Sequence, residues 1–374
     1  MNAEARVIAL FLPQYHPIPE NDEWWGRGFT EWMHVVKARP LFRGHVQPKY
    51  PADLGFYDLR VPEVREKQAA LAREHGVEGF CYWHYWLGGG RRLLDRPFQD
   101  VLDSGIPDFP FCLAWANHDW KGNAFGADRR LLAEQTYPGW QDHQAHFDFL
   151  AGAFSDSRYI RVDGKPLLYI YKPHSIPDCK RVMEFWRTLA SKAGFPGLHI
   201  VGEAVPRKRV EDFGLDAVHM TMHRRIDYLR PVCRKEWVES AASILRSLGV
   251  SVPEPIQRFE YSEAIKHMLK ESYNIDEYPN IVPNWDTTPR LGRKATIFVN
   301  ATPELFEAHV RQALSKVASH PSQHRIVFLR AWNEWAEGNY MEPDEEFGTG
   351  RLEALKRSLE AFRPDANAAE SLKD

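Results

Sequence analysis

Cysteine is scarce in this chain, and the few that occur do not form a metal or redox motif. Four are present among 374 residues and none belongs to a CxxC pair, so neither a zinc ribbon nor a thioredoxin-like site is indicated. Cys81 and Cys112 lie within apolar runs, and we expect both to be buried thiols. Cysteine chemistry is therefore a poor basis for the function of this protein.

Long apolar runs and clusters of basic residues are also missing. No stretch of about 18 apolar residues occurs, so no transmembrane segment is predicted. The net charge is −3 with both signs interspersed, so we expect no nucleic-acid partner, which would need a concentrated basic surface. The first residues, MNAEARVIALFLPQYHP, lack the basic start and long apolar stretch of a secretory signal. We therefore expect a cytoplasmic protein.

Motifs of several common enzyme classes are absent as well. The sequence has no GxSxG nucleophile elbow, no HExxH zinc motif, and no GK[ST] after the three glycines at 88–90. His84, His118 and His174 follow apolar runs, but they do not show the spacing of metal ligands. We therefore predict neither a metal nor another cofactor.

Aromatic residues, in contrast, are abundant: 13 Trp, 14 Tyr and 21 Phe make up 13% of the chain. Many stand beside polar side chains, as in the block YWHYW at 82–86. Flat amphipathic rings beside hydrogen-bonding groups suit sugars, which present apolar C–H faces and polar edges. The alternative for any one tryptophan is an ordinary place in a large core. Clustering next to His, Asn, Asp and Glu favours carbohydrate.

Eight short apolar runs alternate with helical patterns along the chain. This alternation is typical of βαβ units and of a parallel sheet, whose buried strands read as nearly continuous apolar runs. The runs cover residues 7–12, 77–83, 111–115, 167–171, 199–201, 217–220, 281–285 and 326–332. We therefore predict an α/β fold, a single (β/α)8 TIM-type barrel.

Some connections are longer than usual, and long structured loops are often functional. Long βα loops over the C-terminal face are predicted at 13–61, 116–138 and 221–235. An extra helix is predicted at 261–272. Because no linker or internal repeat interrupts the pattern, we predict one domain over 1–365, followed by a disordered tail at 366–374.

Polar, titratable or aromatic residues follow every predicted strand. Active sites of such barrels lie at the C-terminal ends of the strands, so these side chains are the candidates for binding substrate. They are Tyr15, His16, Trp25, Glu31, Trp83, His84, Tyr85, Trp86, Asn117, His118, Lys172, Glu203, Trp285, Asp286, Asn333, Trp335 and Glu342.

The strongest local signal is AWNEWAEGNYMEPD at 331–344. Glu334 and Glu337 are three residues apart, a spacing that lets both face one cavity from a turn or short helix. Glycoside cleavage needs two carboxyl groups of different proton affinity, and nearby Trp faces would raise the pKa of one of them. The alternative is a solvated acidic loop, but Glu334 directly follows an apolar run that must be buried. We therefore predict Glu334 and Glu337 as the catalytic pair.

Four blocks of the sequence carry a family resemblance. They are LFLPQYHPIPEND with WWG and GFTEW near the start, GFCYWHYW at 79–86, LAWAN at 113–117, and AWNEWAEGNYMEPD at 331–344. Together they resemble the WbsX-type polysaccharide-biosynthesis proteins, which are grouped as glycoside hydrolase family 99-like. The resemblance implies a (β/α)8 barrel that acts on glycans of bacterial lipopolysaccharide or capsule.

Family 99 proper contains retaining, endo-acting α-mannosidases and mannanases, whose acid pair lies in an Asn-Glu-Trp-His-Glu-Gly block. Residues 333–338 match that block, except that Ala336 replaces the histidine. The resemblance implies Glu334 as the base and Glu337 as the general acid. In that family the base is thought to deprotonate the sugar 2-hydroxyl, whose oxygen attacks the anomeric carbon. Water then opens the anhydro-sugar with net retention.

These observations favour a retaining glycoside hydrolase or transglycosidase that acts on an α-linked oligo- or polysaccharide. Mannose-containing glycans and lipid-linked glycans are the candidate substrates. A glycosyltransferase of O-antigen or capsule assembly is an alternative, although the strand-end loops show no DxD-like metal pair. A non-catalytic glycan-binding scaffold is the third hypothesis, since a fold does not dictate a function.

Overall fold

Eight parallel strands close into a barrel, as the sequence predicts. The computed structural model describes residues 4–122, 130–203, 205–221, 244–245, 247–248 and 256–365. The barrel strands are β1 (Arg6–Phe11), β2 (Val77–Trp86), β3 (Phe111–Trp115), β4 (Lys165–Ile170), β5 (His199–Glu203), β6 (Ala217–Met220), β7 (Glu277–Ile281) and β8 (Ile326–Leu329). Each strand pairs in parallel with the next, and β8 pairs with β1 to close the ring. The (β/α)8 prediction is confirmed.

The seventh strand begins four residues earlier than predicted. Its sequence, EYPNI, contains three residues that an apolar criterion rejects, yet every residue in it is buried. Glu277 accepts hydrogen bonds from the backbone N–H and the side-chain amide of Asn274, at 3.0 and 2.7 Å, and also pairs with Lys270. The Glu277 carboxylate therefore has hydrogen-bond partners although it is buried. It lies at the end of the barrel where the strands begin. Most of the run predicted at 281–285 belongs to the loop that follows β7.

Helices lie between the strands and over one end of the barrel. They are α1 (Pro19–Trp25), α2 (Trp32–Lys37), α3 (Pro62–Glu74), α4 (Arg96–Ser104), α5 (Trp140–Phe154), α6 (Cys179–Lys192), α7 (Val210–Phe213), α8 (Tyr261–Met268), α9 (Thr288–Leu291), α10 (Pro303–Val317) and α11 (Gly350–Ala361). Short strands outside the barrel are Arg92–Leu93, Trp120–Lys121, Leu131–Ala133, Arg161–Val162, Gln257–Glu260, Thr296–Val299, Asn333–Glu334 and Asn339–Tyr340.

Helix α10 illustrates how local sequence sets these elements. The side chain of Thr302 caps it by accepting a hydrogen bond from the backbone N–H of Leu305, and a proline occupies its first turn. Phe306, Val310 and Val317 are fully buried on one face of the helix. Their spacing repeats every three to four residues, so this single apolar face packs onto the barrel.

The long connections follow the predictions in part. The segment 13–61 carries α1 and α2, and the extra helix predicted at 261–272 ends at Met268. The predicted tail at 366–374 and residues 222–235 of a predicted loop lie outside the described residues. Cys81 and Cys112 are buried free thiols, as expected. In the described part of the chain, no helix combines the length and apolar character that crossing a membrane requires.

We predict that Gly79→Ala destabilises the barrel by about 1–3 kcal/mol, because the position is already closely packed. A Cβ at Gly79, in β2, would lie 2.3 Å from the carbonyl oxygen of Pro110. Gly152→Ala is the matched control, since it lies in α5 with nothing within 4 Å of its Cβ position. That variant is expected to gain about 0.5–1 kcal/mol, because alanine favours helix. Urea denaturation measures the free energy of unfolding of both variants. If both variants were destabilised, or both stabilised, the close packing described at Gly79 would be contradicted.

Candidate active site

A hollow of about 550 Å³ opens at the C-terminal end of the barrel. This is the end at which barrels of this type carry their active sites. It lies under the excursion that follows β1, which contributes part of its wall. The predicted site residues that line it are Trp25, Glu31, Trp83, Tyr85, His118, Lys172, Glu334 and Glu337. These residues come from five different loops or strand ends and meet in one cavity.

Local backbone geometry holds Glu334 and Glu337 in this hollow. Glu334 lies in a short strand that pairs with Asn339–Tyr340, and Glu337 ends the single 3-10 turn that follows. Gly338 closes the turn with φ +70°, and a Cβ there would lie 2.7 Å from the backbone nitrogen of Asp286. Only glycine allows this close approach. The two carboxylate side chains are 11% and 22% exposed, so neither is bathed in open solvent.

Arg290, which sequence reasoning did not single out, lies between the two acids. Its Nη1 is 2.5 Å from Glu337 Oε1, and its Nη2 is 3.5 Å from Glu334 Oε2. The same Nη2 is 2.6 Å from Oε1 of Glu31, which is almost fully buried. Because two nitrogens of one guanidinium reach both carboxylates, the acids project into the same space. In the sequence, its position four residues after Asp286, in the loop after β7, is the feature that could have pointed to Arg290.

Burial sets the proton affinity of Glu334. Removal from water, and to a smaller extent the nearby charge of Glu337, raise the pKa of its carboxyl group to about 7. Arg290 and Arg330 oppose the shift. Sequence reasoning expected one member of the pair to have a raised pKa, and Glu334 is the member that does. Near neutral pH it can therefore both accept and release a proton.

Arg330 forms part of the cavity floor and is held from inside the barrel. Its Nη1 is 3.0 Å from Glu203 Oε1, and the other oxygen of Glu203 accepts a hydrogen bond of 2.7 Å from the Tyr169 hydroxyl. Glu203 itself does not line the hollow. It lies at the end of β5 and acts on the cavity through the guanidinium that it fixes.

Strand alternation separates the four predicted residues of β2. Trp83 and Tyr85 line the hollow, whereas His84 and Trp86 point to the other face, because successive strand residues alternate. His84 Nε2 lies 3.0 Å from Nε2 of His146 in α5, and Trp86 stacks on the same imidazole with centroids 4.6 Å apart. Burial lowers the pKa of His84 to about 3. His84 and Trp86 therefore pack the strand against α5.

Three predicted residues support the acid-bearing loop from behind. Asn333 joins this loop to the end of β1: its Oδ1 accepts from Leu12 N at 2.7 Å and its Nδ2 donates to Leu12 O at 3.0 Å. The Tyr15 hydroxyl donates to the Asn333 carbonyl. Trp335 stacks on Tyr340 with centroids 3.7 Å apart. None of the three lines the hollow, but each fixes the backbone on either side of Glu334.

Glu342, the third carboxylate of the same block, is buried behind the loop. It accepts hydrogen bonds from Tyr57 Oη, Gln68 Nε2 and Trp335 Nε1, at 2.9, 2.6 and 2.6 Å. Burial raises its pKa to about 7 in spite of these donors. Because it lies outside the hollow, it holds Trp335 in place instead of facing a ligand there.

The remaining predicted residues also lie outside this hollow. His16 bonds through Nδ1 to the carbonyl of Pro13, at 2.9 Å. Asn117 binds both the backbone N–H and the carbonyl of Lys172, each at 2.8 Å, and so joins the ends of β3 and β4. Trp285 packs in a second, smaller apolar cluster. They were predicted because they follow strands, but their side chains satisfy protein groups.

Asp286 accepts four hydrogen bonds from protein groups. Its donors are His45 Nε2, Gln47 Nε2 and the backbone and side chain of Thr288, at 2.8, 2.7, 3.0 and 2.7 Å. Its own backbone N–H donates to the carbonyl of Glu337, at 2.8 Å. It therefore braces the acid-bearing turn. In the described part of the chain, no group of three or more His, Cys, Asp or Glu is arranged to hold a metal ion.

The sequence of this chain matches a known protein family. The family model described as Glycosyltransferase WbsX matches residues 7–355. The chain belongs to the WbsX family. Proteins named "Uncharacterized protein WxcX" from two strains of Xanthomonas campestris pv. campestris are 34% identical to it over 366 residues, 95% of this chain. This WbsX-family chain spans about half the length, 50%, of those curated relatives.

Solved structures share the fold of this WbsX-family chain at low sequence identity. A "Glycoside hydrolase-like protein" is similar with a TM-score of 0.55 and 16% identity, covering 96% of this chain and 94% of the other. A GH99 endo-alpha-mannosidase from Bacteroides thetaiotaomicron is similar with a TM-score of 0.52 and 15% identity, covering 95% and 96%. These similarities support the barrel fold.

We predict that Glu334→Gln stabilises the protein increasingly as pH rises. The raised pKa of about 7 means that the protonated Glu334 contributes stability below about pH 4.5, which is lost as pH rises through about 7. Glutamine is uncharged at every pH and has nearly the same shape as protonated glutamate. The variant should exceed the wild type by on the order of 1–3 kcal/mol at about pH 8, with little difference at about pH 4.5.

Denaturant titrations across this pH range measure the difference. Glu360→Gln, an exposed change of the same kind on α11, is the control and should show no such trend. A stability difference for Glu334→Gln that does not vary with pH would contradict the assigned proton affinity.

Proposed function

We propose that this WbsX-family barrel cleaves or transfers α-linked glycosidic bonds with retention of configuration, with Glu334 as base and Glu337 as general acid. The observation that carries the proposal is the pair of carboxylates that share Arg290 inside a hollow walled by aromatic rings. Glycoside chemistry requires two carboxyl groups flanking the scissile bond, one to give a proton and one to receive a proton or attack.

The proposed first step transfers two protons. Glu334 accepts the proton of the sugar 2-hydroxyl, and the freed oxygen attacks the anomeric carbon. Glu337 gives a proton to the leaving oxygen as the glycosidic bond breaks. In the second step water, or an acceptor hydroxyl, opens the anhydro-sugar, returning the proton of Glu334 to the 2-oxygen and one proton to Glu337. The pKa of Glu334, about 7, suits a group that gains and loses a proton near neutral pH.

The walls of the hollow support a carbohydrate ligand. Trp25, Trp83 and Tyr85 provide aromatic surface, and His118 and Lys172 provide polar groups at the rim. This combination suits a sugar, since its C–H faces pack on rings while its hydroxyls need hydrogen bonds. We propose a mannose-containing glycan of lipopolysaccharide or capsule metabolism, handled as a cytoplasmic, lipid-linked intermediate. The family description, which names a glycosyltransferase, supports a glycan as substrate, and the mannosidase named among the fold relatives supports mannose.

Glycosyl transfer is the second candidate function, because the family description names a glycosyltransferase. The same acid pair serves either outcome, since an acceptor hydroxyl replaces water in the second step. The two differ in product: hydrolysis releases a reducing sugar, whereas transfer gives a longer glycan. Chromatography of the products with and without an added acceptor glycan separates them.

We predict that Glu334→Gln and Glu337→Gln each lower kcat by about 10²–10⁴-fold, the usual contribution of a general acid or base. The substrate would be an α-mannose oligosaccharide or an O-antigen fragment, and NMR of the anomeric proton reports the stereochemistry. Substrate binding, followed by calorimetry, should persist, because an amide replaces a carboxyl group of the same size. Glu345→Gln, an exposed change in the same segment, should leave kcat unchanged.

Three results would contradict the proposal in whole or in part. Wild-type turnover in both glutamine variants would remove the acid pair from the chemistry. Glycan binding without any product from the wild-type protein would instead indicate a non-catalytic scaffold, as known for barrels that keep a fold without its activity. Inverted anomeric configuration in the product would retain the acid pair but exclude the anhydro-sugar route.

A further inference from the structure

A second cavity, of about 450 Å³, lies beside the candidate active site. We call it the lateral cavity. Its walls are residues 42–46 of the excursion after β1, the short strands Gln257–Glu260 and Thr296–Val299, and residues 346, 347 and 351 at the start of α11. Its volume is within the range of small-molecule sites, about 300–1,000 Å³. No step of the proposed function uses it.

Asp286 connects the two cavities. Its side chain lines the lateral cavity and is held by His45, which lines it as well. Its backbone N–H donates to the carbonyl of Glu337 at 2.8 Å. Asp286 therefore lies between the lateral cavity and the acid-bearing turn and contacts both.

Permanently cationic side chains outnumber carboxylates in the lining of the lateral cavity. Its three carboxylates already accept bonds from protein groups: Asp286 from His45, Glu260 from Asn300 at 2.8 Å, and Glu346 from Lys49. Four permanent cations line the same cavity, and one of them, Arg351, also bonds to Asp344, which lies outside the lining. They are Arg43, Lys49, Arg258 and Arg351. Each guanidinium carries five N–H donors, more than one acidic partner can use. The lining therefore favours a ligand rich in acceptors.

Two buried polar atoms of the lining lack a partner within the described residues. Arg351 is 4% exposed; its Nη1 donates to Asp344 at 3.0 Å, but no described group accepts from its Nε. Asn284 is 7% exposed, and no described group donates to its Oδ1. One is a donor and the other an acceptor. A ligand that offers both kinds of group, as a sugar does, would satisfy both with small side-chain movements.

Aromatic rings complete the wall. Phe42 stacks on His45 with ring centroids 4.6 Å apart and planes at 5°. The Arg258 guanidinium lies 4.4 Å from the centre of the Phe42 ring. The Arg351 guanidinium lies 4.8 Å from the centre of the Phe347 ring. A guanidinium stacked on a ring is held flat, and its N–H groups point outward from its edge, the geometry in which it binds carboxylate or phosphate oxygens.

We propose that the lateral cavity is a binding site for a sugar unit that carries an anionic group, a carboxylate or a phosphate. The excess of cationic side chains over carboxylates in the lining selects the negative charge, and the unpaired Arg351 Nε and Asn284 Oδ1 select hydroxyl groups. The site lies outside the hollow that holds Glu334 and Glu337, so its ligand is a charged unit of a glycan distant from the bond that reacts.

Calorimetric titration of the full chain tests the proposal with four probes: methyl glucuronide, glucose 6-phosphate, methyl glucoside and inorganic phosphate. Either anionic sugar should bind more tightly than the neutral glucoside and than phosphate, and more weakly at high ionic strength. The preferred sugar distinguishes carboxylate from phosphate. No binding by either anionic sugar would overturn the proposal, as would phosphate binding as tightly as both, since that marks a simple anion site.

Variants locate the site. Arg43→Gln and Arg258→Gln should each weaken binding of the preferred anionic sugar by about tenfold, the loss of one charge-assisted hydrogen bond. Lys172→Gln removes a cation from the other cavity, and Arg181→Gln removes one from the exposed face of α6; both should leave the affinity unchanged. If Lys172→Gln abolishes binding while Arg258→Gln does not, the sugar occupies the first hollow and the proposal fails. Thermal unfolding of each variant checks that it is folded.

Discussion

The candidate site depends on one guanidinium, that of Arg290, which contacts three carboxylates. Glu31 comes from the excursion after β1, Arg290 from the loop after β7, and Glu334 and Glu337 from the loop after β8. Three acids in a partly buried hollow would repel one another, since burial weakens the screening of charge. The shared cation offsets that repulsion and joins three long loops. Such a buried arrangement adds little net stability, but loss of its cation would leave uncompensated charge.

Behind this cluster, neutral and charged side chains fix the backbone that carries the acids. Asn333 binds both backbone groups of Leu12, and Glu342 accepts from Trp335. Asp286 braces the carbonyl of Glu337. One sequence block therefore supplies both the groups that face the hollow and the groups that hold them. Position distinguishes the two roles: the supporting side chains bond to protein atoms outside the hollow, whereas Glu334 and Glu337 line the hollow and share Arg290.

The fold could be predicted from sequence because buried parallel strands leave a local signal. The exception is β7, where Glu277 reads as polar until its partners Lys270 and Asn274 are known. The site could be predicted only in part. Every polar or aromatic residue after a strand was a candidate, but alternation turns His84 away from the hollow while Trp83 faces it. Arg290 could not be found by spacing, because the residue that holds it, Glu31, is 259 positions away.

The proton affinity of Glu334 is set by distant parts of the chain. Burial and Glu337 raise its pKa, and Arg290 and Arg330 lower it. Arg330 is itself fixed by Glu203, at the end of β5. A glycan that fills the hollow would expel water and strengthen each of these interactions. The proton of Glu334 would then depend on a balance between Glu337 and Glu31, which raise its pKa, and Arg290 and Arg330, which lower it. Arg290 contacts all three acids and therefore holds these charges at fixed separations while the substrate changes.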